Sequence, residues 1–181
     1  MALGATMRRF EIEVADSDRE VYERLELRAA QHPSESDRYL VTRVLARVLE
    51  HADGVEFTRG LDADDEPALW QRDLRGDLQA WIEVGSPSAP RLHRASKLGA
   101  RVVIYGWRGD AVVADIAEER VHRAGEIVVH DLDPAFLDAI AATLDRVNRW
   151  ELSKSGGAIY LSANGAALEG TIRQIMTGGE S

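Results

Sequence analysis

The chain contains no cysteine, and only two of its 22 basic residues are lysines, Lys97 and Lys154. The absence of cysteine excludes disulfides, thiolate ligands and a cysteine nucleophile, and it argues against structural zinc. No run approaches the roughly 20 apolar residues that a membrane-spanning helix needs. The first ten residues lack the apolar core of a signal peptide. These absences predict a cytoplasmic protein that does not contact a membrane.

Acidic residues outnumber basic ones by 31 to 22, which gives a net charge of −9. This balance argues against a general nucleic-acid-coating surface, because such binding depends on clustered Lys and Arg. It leaves room for a local basic cleft. The length of 181 residues, with 45% hydrophobic and 29% charged residues, fits an ordinary folded protein. We expect one domain over residues 1–181.

The N-terminal part shows two kinds of hydrophobic periodicity. Residues 10–14 alternate between apolar and charged side chains, and residues 21–29 do the same, which predicts an opening β-hairpin. Ser34 then provides an N-cap for a helix whose apolar residues recur at helical spacing from 40 to 49. Residues 57–61 suggest a short strand.

The middle of the chain predicts a βαβ unit. After a helical turn at residues 67–71, alternation returns over residues 77–84. Two prolines then precede a helix over residues 91–99, and residues 102–105 form a continuous apolar run. A run of this kind is typical of a parallel strand that is buried on both faces.

The C-terminal part predicts two helices and three antiparallel strands. A helix is expected at residues 110–119, a short strand at 127–129, and a second helix that Asp133 caps. Residues 149–175 contain two glycine turns between apolar segments, which indicates an antiparallel meander. The fold class is therefore α/β (α+β), a mixed β-sheet flanked by helices, with an N-terminal hairpin and a C-terminal meander.

An acidic loop contains the first candidate site residues, which are Asp62, Asp64, Asp65 and Glu66. Carboxylate oxygens suit Mg²⁺, which binds through one or two carboxylates together with substrate phosphates. The loop is either a source of metal ligands at the rim of a sheet or a solvated acidic segment that caps a helix. Both interpretations remain open from the residues alone.

Glu83 is the second candidate, because it lies among apolar residues near the end of a predicted strand. Partial desolvation of a carboxylate requires a cation or hydrogen-bond donors nearby. Glu83 is therefore predicted to be a metal ligand or, alternatively, the ion-pair partner of an arginine from the next helix.

The helix after Glu83 carries Arg91, Arg94 and Lys97 at three-residue spacing, so the three cations lie roughly on one face. Together with Arg59 they could bind phosphates or stabilise developing charge, or they could form a solvated basic face. The five histidines show no metal-binding spacing, and no phosphate-binding glycine loop predicts a nucleotide cofactor. The four tryptophans are interpreted as packing residues.

Several motifs of this chain resemble the YaeQ family of small bacterial proteins. The most distinctive are Phe-Thr-Arg-Gly-Leu at residues 57–61, Asp-Asp-Glu-Pro at 64–67 and Trp-Ile-Glu-Val-Gly at 81–85. Weaker matches extend the resemblance over nearly the whole chain. That family is similar in fold to the PD-(D/E)XK nuclease-like superfamily, so the resemblance implies a restriction-endonuclease-like core.

The resemblance assigns Glu83 to the acid of the acid-X-Lys motif and Asp65 or Asp64 to the preceding aspartate, with Asp77 a weaker choice. Gly85 occupies the lysine position, and Arg91, Arg94 or Lys97 could supply the missing cation. Two hypotheses follow. The chain is a Mg²⁺-dependent enzyme that processes nucleic acids, with catalytic Asp65, Glu83 and Arg94 or Lys97, or it is a non-catalytic binding or regulatory module.

Overall fold

The computed structural model describes residues 4–59 and 65–177, and none of their helices is both long and apolar enough to cross a bilayer. Ten strands and four α-helices are formed within these residues. In chain order they are β1 (Thr6–Asp16), β2 (Val21–Gln31), α1 (Asp37–Leu49), β3 (Val55–Phe57), β4 (Leu69–Arg72), β5 (Leu78–Val84), α2 (Ala89–Ser96), β6 (Arg101–Gly106), α3 (Gly109–Glu118), β7 (Val128–Leu132), α4 (Pro134–Ala141), β8 (Val147–Ser155), β9 (Ala158–Ala163) and β10 (Ala166–Met176).

The chain folds into two compact units, each made of two segments that are separated in sequence. The first unit consists of residues 1–44 and 132–172, and the second of residues 45–131 and 173–181. That residues 1–181 behave as a single domain remains a prediction.

The first unit contains strands in the order β2-β1-β8-β9-β10, with β10 included as far as Ile172. β1 pairs with β2 in antiparallel register and with β8 in parallel register. β8, β9 and β10 follow one another as antiparallel neighbours. Because Phe10, Ile12 and Val14 are buried while the residues between them are not, the alternation arises from one apolar face. The predicted N-terminal hairpin and C-terminal meander are both confirmed.

Helix α4 packs against β10 where that strand has no side chain. Asp133 accepts a hydrogen bond from the amide of Ala135 and so caps α4, as predicted from the Asp-Pro pair. Phe136, in the first turn, is buried directly against Gly170. A Cβ atom at Gly170 would overlap the ring of Phe136. The glycine is thus required by the close approach of the helix.

We expect Gly170→Ala to lower the free energy of unfolding by about 1–3 kcal/mol, since an added methyl group must displace a buried ring. Urea denaturation of the wild type and the variant would measure the loss. In a Phe136→Leu background the same substitution should cost less, because the smaller side chain leaves room. Equal costs in both backgrounds would mean that the ring does not set the requirement for glycine.

The second unit contains strands in the order β7-β6-β5-β4-β3. β5, β6 and β7 are parallel, whereas β4 and β3 add antiparallel strands at one side. Helix α2 connects β5 to β6 and α3 connects β6 to β7, so the predicted βαβ unit is confirmed. One face of this sheet packs against these helices in a cluster that includes Trp81, Leu92, Ala95, Val102, Ile104, Val112 and Ile116.

The helical turn predicted at residues 67–71 is wrong, because β4 occupies Leu69–Arg72. Leu69 pairs with Ile82 of β5, and both side chains are fully buried. The burial of this short segment in the sheet outweighs the local preference of a proline for the start of a helix. The predicted strand over residues 57–61 is also shifted, since β3 is Val55–Phe57 and residues 60 and 61 lie outside the described residues.

The N-cap predicted at Ser34 is also wrong, although α1 itself is confirmed. The helix begins at Asp37, and the hydroxyl of Ser36 accepts a hydrogen bond from the amide of Tyr39 at 3.1 Å. Ser34 instead contacts the ring of His32, with Oγ 2.6 Å from Nδ1. Two serines flank Glu35, and sequence alone does not determine which of them caps the helix.

Candidate functional site

The second unit places Glu83 on the face of β5 that packs under α2. Trp81 belongs to the cluster beneath this helix, and Glu83 follows it by two residues, so both side chains lie on the same face of the strand. Glu83 is only 4% exposed. The sequence predicted partial desolvation, and the structure gives nearly complete burial.

The Glu83 carboxylate accepts two hydrogen bonds at the same oxygen. Arg91 Nε donates to Oε1 at 2.6 Å, and Trp81 Nε1 donates to Oε1 at 2.7 Å. Among the described residues Oε2 accepts no hydrogen bond. Burial raises the pKa of Glu83, while the charge of Arg91 and the two hydrogen bonds act in the opposite direction. The alternative of an ion pair with an arginine of the next helix is therefore realised, and that arginine is Arg91.

Arg91 also links α2 to the end of the acidic loop. Its Nη2 atom donates a hydrogen bond to the backbone oxygen of Glu66. The Glu66 carboxylate in turn binds Arg59, with Nη2 2.9 Å from Oε1 and the Arg59 amide 3.2 Å from Oε2. The side-chain hydrogen bond from Arg59 lowers the pKa of Glu66. Arg59 thus binds Glu66, the last residue of the acidic loop, and Arg91 connects the same residue to Glu83.

The other predicted site residues divide into three groups. Arg94 and Lys97 are exposed, with Arg94 on α2 and Lys97 at its C-cap. Asp65 is exposed and adjoins Glu66, while Asp64 and Asp62 lie outside the described residues. Asp77 precedes β5, so it lies at the opposite end of that strand, about 20 Å along the chain from Glu83.

The predicted roles of these residues remain predictions. None of these contacts tests whether Asp64 or Asp65 joins Glu83 in binding Mg²⁺. Nor do they test whether Arg59, Arg91 and Arg94 bind phosphate. Within residues 4–59 and 65–177, no group of three or more His, Asp or Glu side chains is arranged to hold a metal ion.

Gly85, at the lysine position of the acid-X-Lys motif, has a backbone conformation that favours glycine. Its φ angle is +85°, which side-chain-bearing residues rarely adopt. Its amide donates to the backbone oxygen of Tyr105 at 2.8 Å, and a Cβ atom at Gly106 would overlap the Gly85 oxygen. Strands β5 and β6 end in close contact there. A lysine at position 85 would be strained at this torsion angle.

Sequence reasoning missed two contacts of the site, namely the indole N–H of Trp81 and the backbone oxygen of Glu66. The first had a usable signal, since residues two apart on a strand share a face and an indole N–H needs an acceptor when buried. The second had none. Every residue has a backbone oxygen, so the sequence does not indicate which one accepts a hydrogen bond from Arg91.

The fold and the site together define an α+β protein with a parallel βαβ core in which a buried carboxylate is paired with an arginine of the following helix. The family model described as YaeQ protein matches residues 1–172. The chain belongs to the YaeQ family.

Several relatives support this assignment. The chain is 32% identical over 171 residues to the uncharacterized protein YaeQ of Escherichia coli K12, covering 93% of this chain and 94% of that protein. The crystal structure of YaeQ protein from Xanthomonas axonopodis pv. citri has a TM-score of 0.86 at 34% identity and covers 95% of this chain and 98% of that one. That of YaeQ protein from Pseudomonas syringae has a TM-score of 0.87 at 28% identity, with 97% of each chain covered.

Proposed function

We propose that this protein is a non-catalytic, nuclease-like module that binds the phosphate backbone of nucleic acids next to α2. The contact that carries the proposal is the ion pair between Glu83 and Arg91. In the PD-(D/E)XK pattern the acid at this position is a metal ligand and a lysine follows two residues later. Here the acid is bound by an arginine, and Gly85 takes the place of the lysine.

The ion pair works against metal binding in two ways. Arg91 and Trp81 both donate to Oε1, so a metal at that oxygen would have to displace two donors from a buried carboxylate. The positive charge of Arg91 would also lie close to the incoming cation and repel it. The same contacts hold Arg91 in place, and this makes them more consistent with a structural role for Glu83 than with a catalytic one.

Phosphate binding would use the cations of α2 that are not part of the Glu83–Arg91 ion pair. Arg94 and Lys97 are exposed at the C-terminal part of α2, and among the described residues neither makes an ion pair. A local positive field can attract phosphates even on a protein with an overall charge of −9. Phosphate contacts of this kind are independent of sequence and sensitive to salt.

The proposal predicts a specific change in salt dependence for Arg94→Gln/Lys97→Gln. For a single-stranded oligonucleotide, the slope of log K against log salt should decrease in magnitude by about 1.4, since each phosphate contact contributes about 0.7. Fluorescence anisotropy of a labelled oligonucleotide over a range of salt concentrations would measure this slope.

The matched control is Arg24→Gln/Arg28→Gln, which removes two arginines of β2 in the first unit. It removes the same number of positive charges and should leave the slope unchanged. Equal slopes for both double variants would show that the cations of α2 are not the phosphate contacts. Absence of binding by the wild-type protein at low salt would overturn the proposal itself.

A second candidate function is Mg²⁺-dependent cleavage of phosphodiesters. It is favoured by Oε2 of Glu83, which accepts no hydrogen bond among the described residues and remains a possible ligand atom, and by the nearby loop end at Asp65. Glu83 and Asp65 or Asp64 would hold the metal, and Arg94 or Lys97 would offset charge on the phosphate. A bound Mg²⁺ would activate water and neutralise phosphate charge.

Glu83→Gln separates the two candidates. If the chain is an enzyme, this variant should lose Mg²⁺-dependent cleavage, whereas Asp77→Asn, at the other end of β5, should retain it. Mg²⁺ should also stabilise the wild type by about 2.7 kcal/mol at 100 times its dissociation constant. From the proposed binding role we expect no cleavage, no stabilisation by Mg²⁺ and unchanged oligonucleotide affinity in Glu83→Gln.

A further inference from the structure

Trp70 does not fit the packing role that the sequence predicted for the four tryptophans. Trp81 and Trp150 are buried, which confirms that prediction for them, but Trp70 on β4 is only partly buried. β4 is antiparallel to β5, and Trp70 lies directly opposite Trp81 in this register. Opposite residues of an antiparallel pair share a face, so Trp70 lies on the face of the sheet that carries Glu83.

The separation between Trp70 and the site is short. Glu83 follows Trp81 by two residues, which makes it a diagonal neighbour of Trp70 across the two strands. Such neighbours have Cα atoms about 7–8 Å apart, within reach of an aromatic side chain. A flat, accessible ring therefore lies beside the Glu83–Arg91 pair, on the strand that adjoins β5.

Two contacts fix the orientation of this ring. Its Nε1 atom donates to Glu56 Oε1 at 3.1 Å, and Glu56 lies opposite Trp70 in the register of β3 and β4. The guanidinium carbon of Arg72 lies 4.3 Å from the ring centroid, and Arg72 Nη1 donates to the Gly76 oxygen at 2.8 Å. The ring and the guanidinium group are thus already held together in the free protein. Binding of a ligand that stacks on them therefore costs little conformational entropy of these two side chains.

We propose, on the basis of the function proposed above, that the Trp70–Arg72 pair is a base-stacking platform and that the ligand is a single-stranded nucleic acid. Aromatic rings and guanidinium planes both stack on nucleobases. In a duplex the flat faces of the bases are covered by their neighbours, so only an unpaired base can reach such a platform. Its adjoining phosphates would then lie near the cations of α2.

The experiment compares Trp70→Leu with Trp70→Phe on two probes, a short labelled single strand and its duplex, at one low salt concentration. Trp70→Leu should weaken single-strand binding about tenfold or more and leave duplex binding unchanged. Trp70→Phe keeps a ring and should retain most of the affinity. Addition of the unlabelled single strand should quench tryptophan fluorescence in the wild type and less in either variant.

The control is Tyr160→Leu, which removes a half-exposed aromatic residue from β9 in the first unit. It should change neither affinity. If Trp70→Leu lowers the thermal unfolding temperature strongly, Arg72→Gln tests the same platform, since it removes the stacked guanidinium while the indole stays. That variant should also lose single-strand affinity selectively.

The outcomes distinguish this inference from the function on which it rests. If the wild type binds the single strand and Trp70→Leu binds it equally well, the platform is overturned while phosphate binding stands. Equal losses on single strand and duplex would likewise overturn the platform. If the wild type binds neither probe at low salt, the proposed function fails first, and the platform fails with it.

Discussion

Replacing Arg91 with methionine should lower the free energy of unfolding by about 3 kcal/mol at pH 7. The substitution leaves the Glu83 carboxylate, whose side chain is 5% exposed, without its charged partner. Breaking a buried pair from one side costs about 3–5 kcal/mol, and the 23% exposure of Arg91 places this case at the lower end. Methionine keeps much of the apolar stem, so urea denaturation would report mainly the loss of the charge.

The size of this loss should depend on pH. Burial already raises the pKa of Glu83, and removing Arg91 raises it further. A carboxyl group whose pKa is higher in the folded state binds more protons there than in the unfolded state. Its contribution to stability is therefore full below the unfolded pKa and is lost as the pH rises through the folded pKa. The difference between Arg91→Met and the wild type should shrink in acid.

A double variant provides the control. Glu83→Gln alone removes the counter-ion of Arg91 and should also lower stability, but by less than Arg91→Met, since Arg91 is 23% exposed and the amide oxygen can still accept from Trp81 and Arg91. Adding it to Arg91→Met removes the stranded charge and should recover much of the loss. If the double variant is as unstable as Arg91→Met, the cost comes from the lost packing of Arg91 or its bond to Glu66, and the ion-pair explanation is wrong.

Arg43→Met should have the largest effect, a loss of about 4 kcal/mol, because it breaks an ion pair that is buried on both sides. Arg43 and Glu35 in the first unit each have side chains that are 3% exposed. Arg43 Nε lies 3.1 Å from Glu35 Oε1, and Nη2 also donates to the Ala30 oxygen at 2.8 Å. The variant would leave a carboxylate and a backbone oxygen without their partner in the interior.

Arg38→Met is the matched control, since it removes another arginine of α1 from an ion pair. Arg38 lies 2.6 Å from Asp138, but the two side chains are 33% and 53% exposed. Pairs of this kind contribute less than about 1 kcal/mol, so this variant should unfold almost like the wild type. Similar losses for the two variants would show that burial does not set the cost. Burial raises the pKa of Glu35, so the loss in Arg43→Met should also shrink in acid.

Most strands and helices of the fold could be predicted because their periodicity reflects one buried face. The alternation of β1 and the Asp-Pro start of α4 are signals of this local kind. β4 could not be predicted in the same way, since its four residues become a strand only by pairing with β5. The identity of such a short segment is decided by a partner that is remote in sequence.

The candidate site was predictable as a set of residues and not as a set of contacts. The chemistry around Glu83 required a cation, but three cations were available on the following helix. Three residues along a helix correspond to a rotation of about 60° away from the starting direction. Arg91 therefore faces the sheet while Arg94 and Lys97 face outward. The rotation of α2 about its axis determines which of the three cations reaches Glu83. This rotation is fixed by the burial of Leu92 and Ala95.

The first unit joins two segments that are distant in sequence, and this has a consequence for synthesis on the ribosome. β1 pairs with β8 in a register that joins Arg9 to Val147, and at translation rates of about 5–20 residues per second β8 emerges on the order of ten seconds after β1. During this interval the β1 edge of the newly made hairpin has no partner strand, and unpaired edges promote pairing between chains. The charged residues that alternate along β1, among them Arg9, Glu11 and Glu13, would keep neighbouring nascent chains apart until β8 arrives.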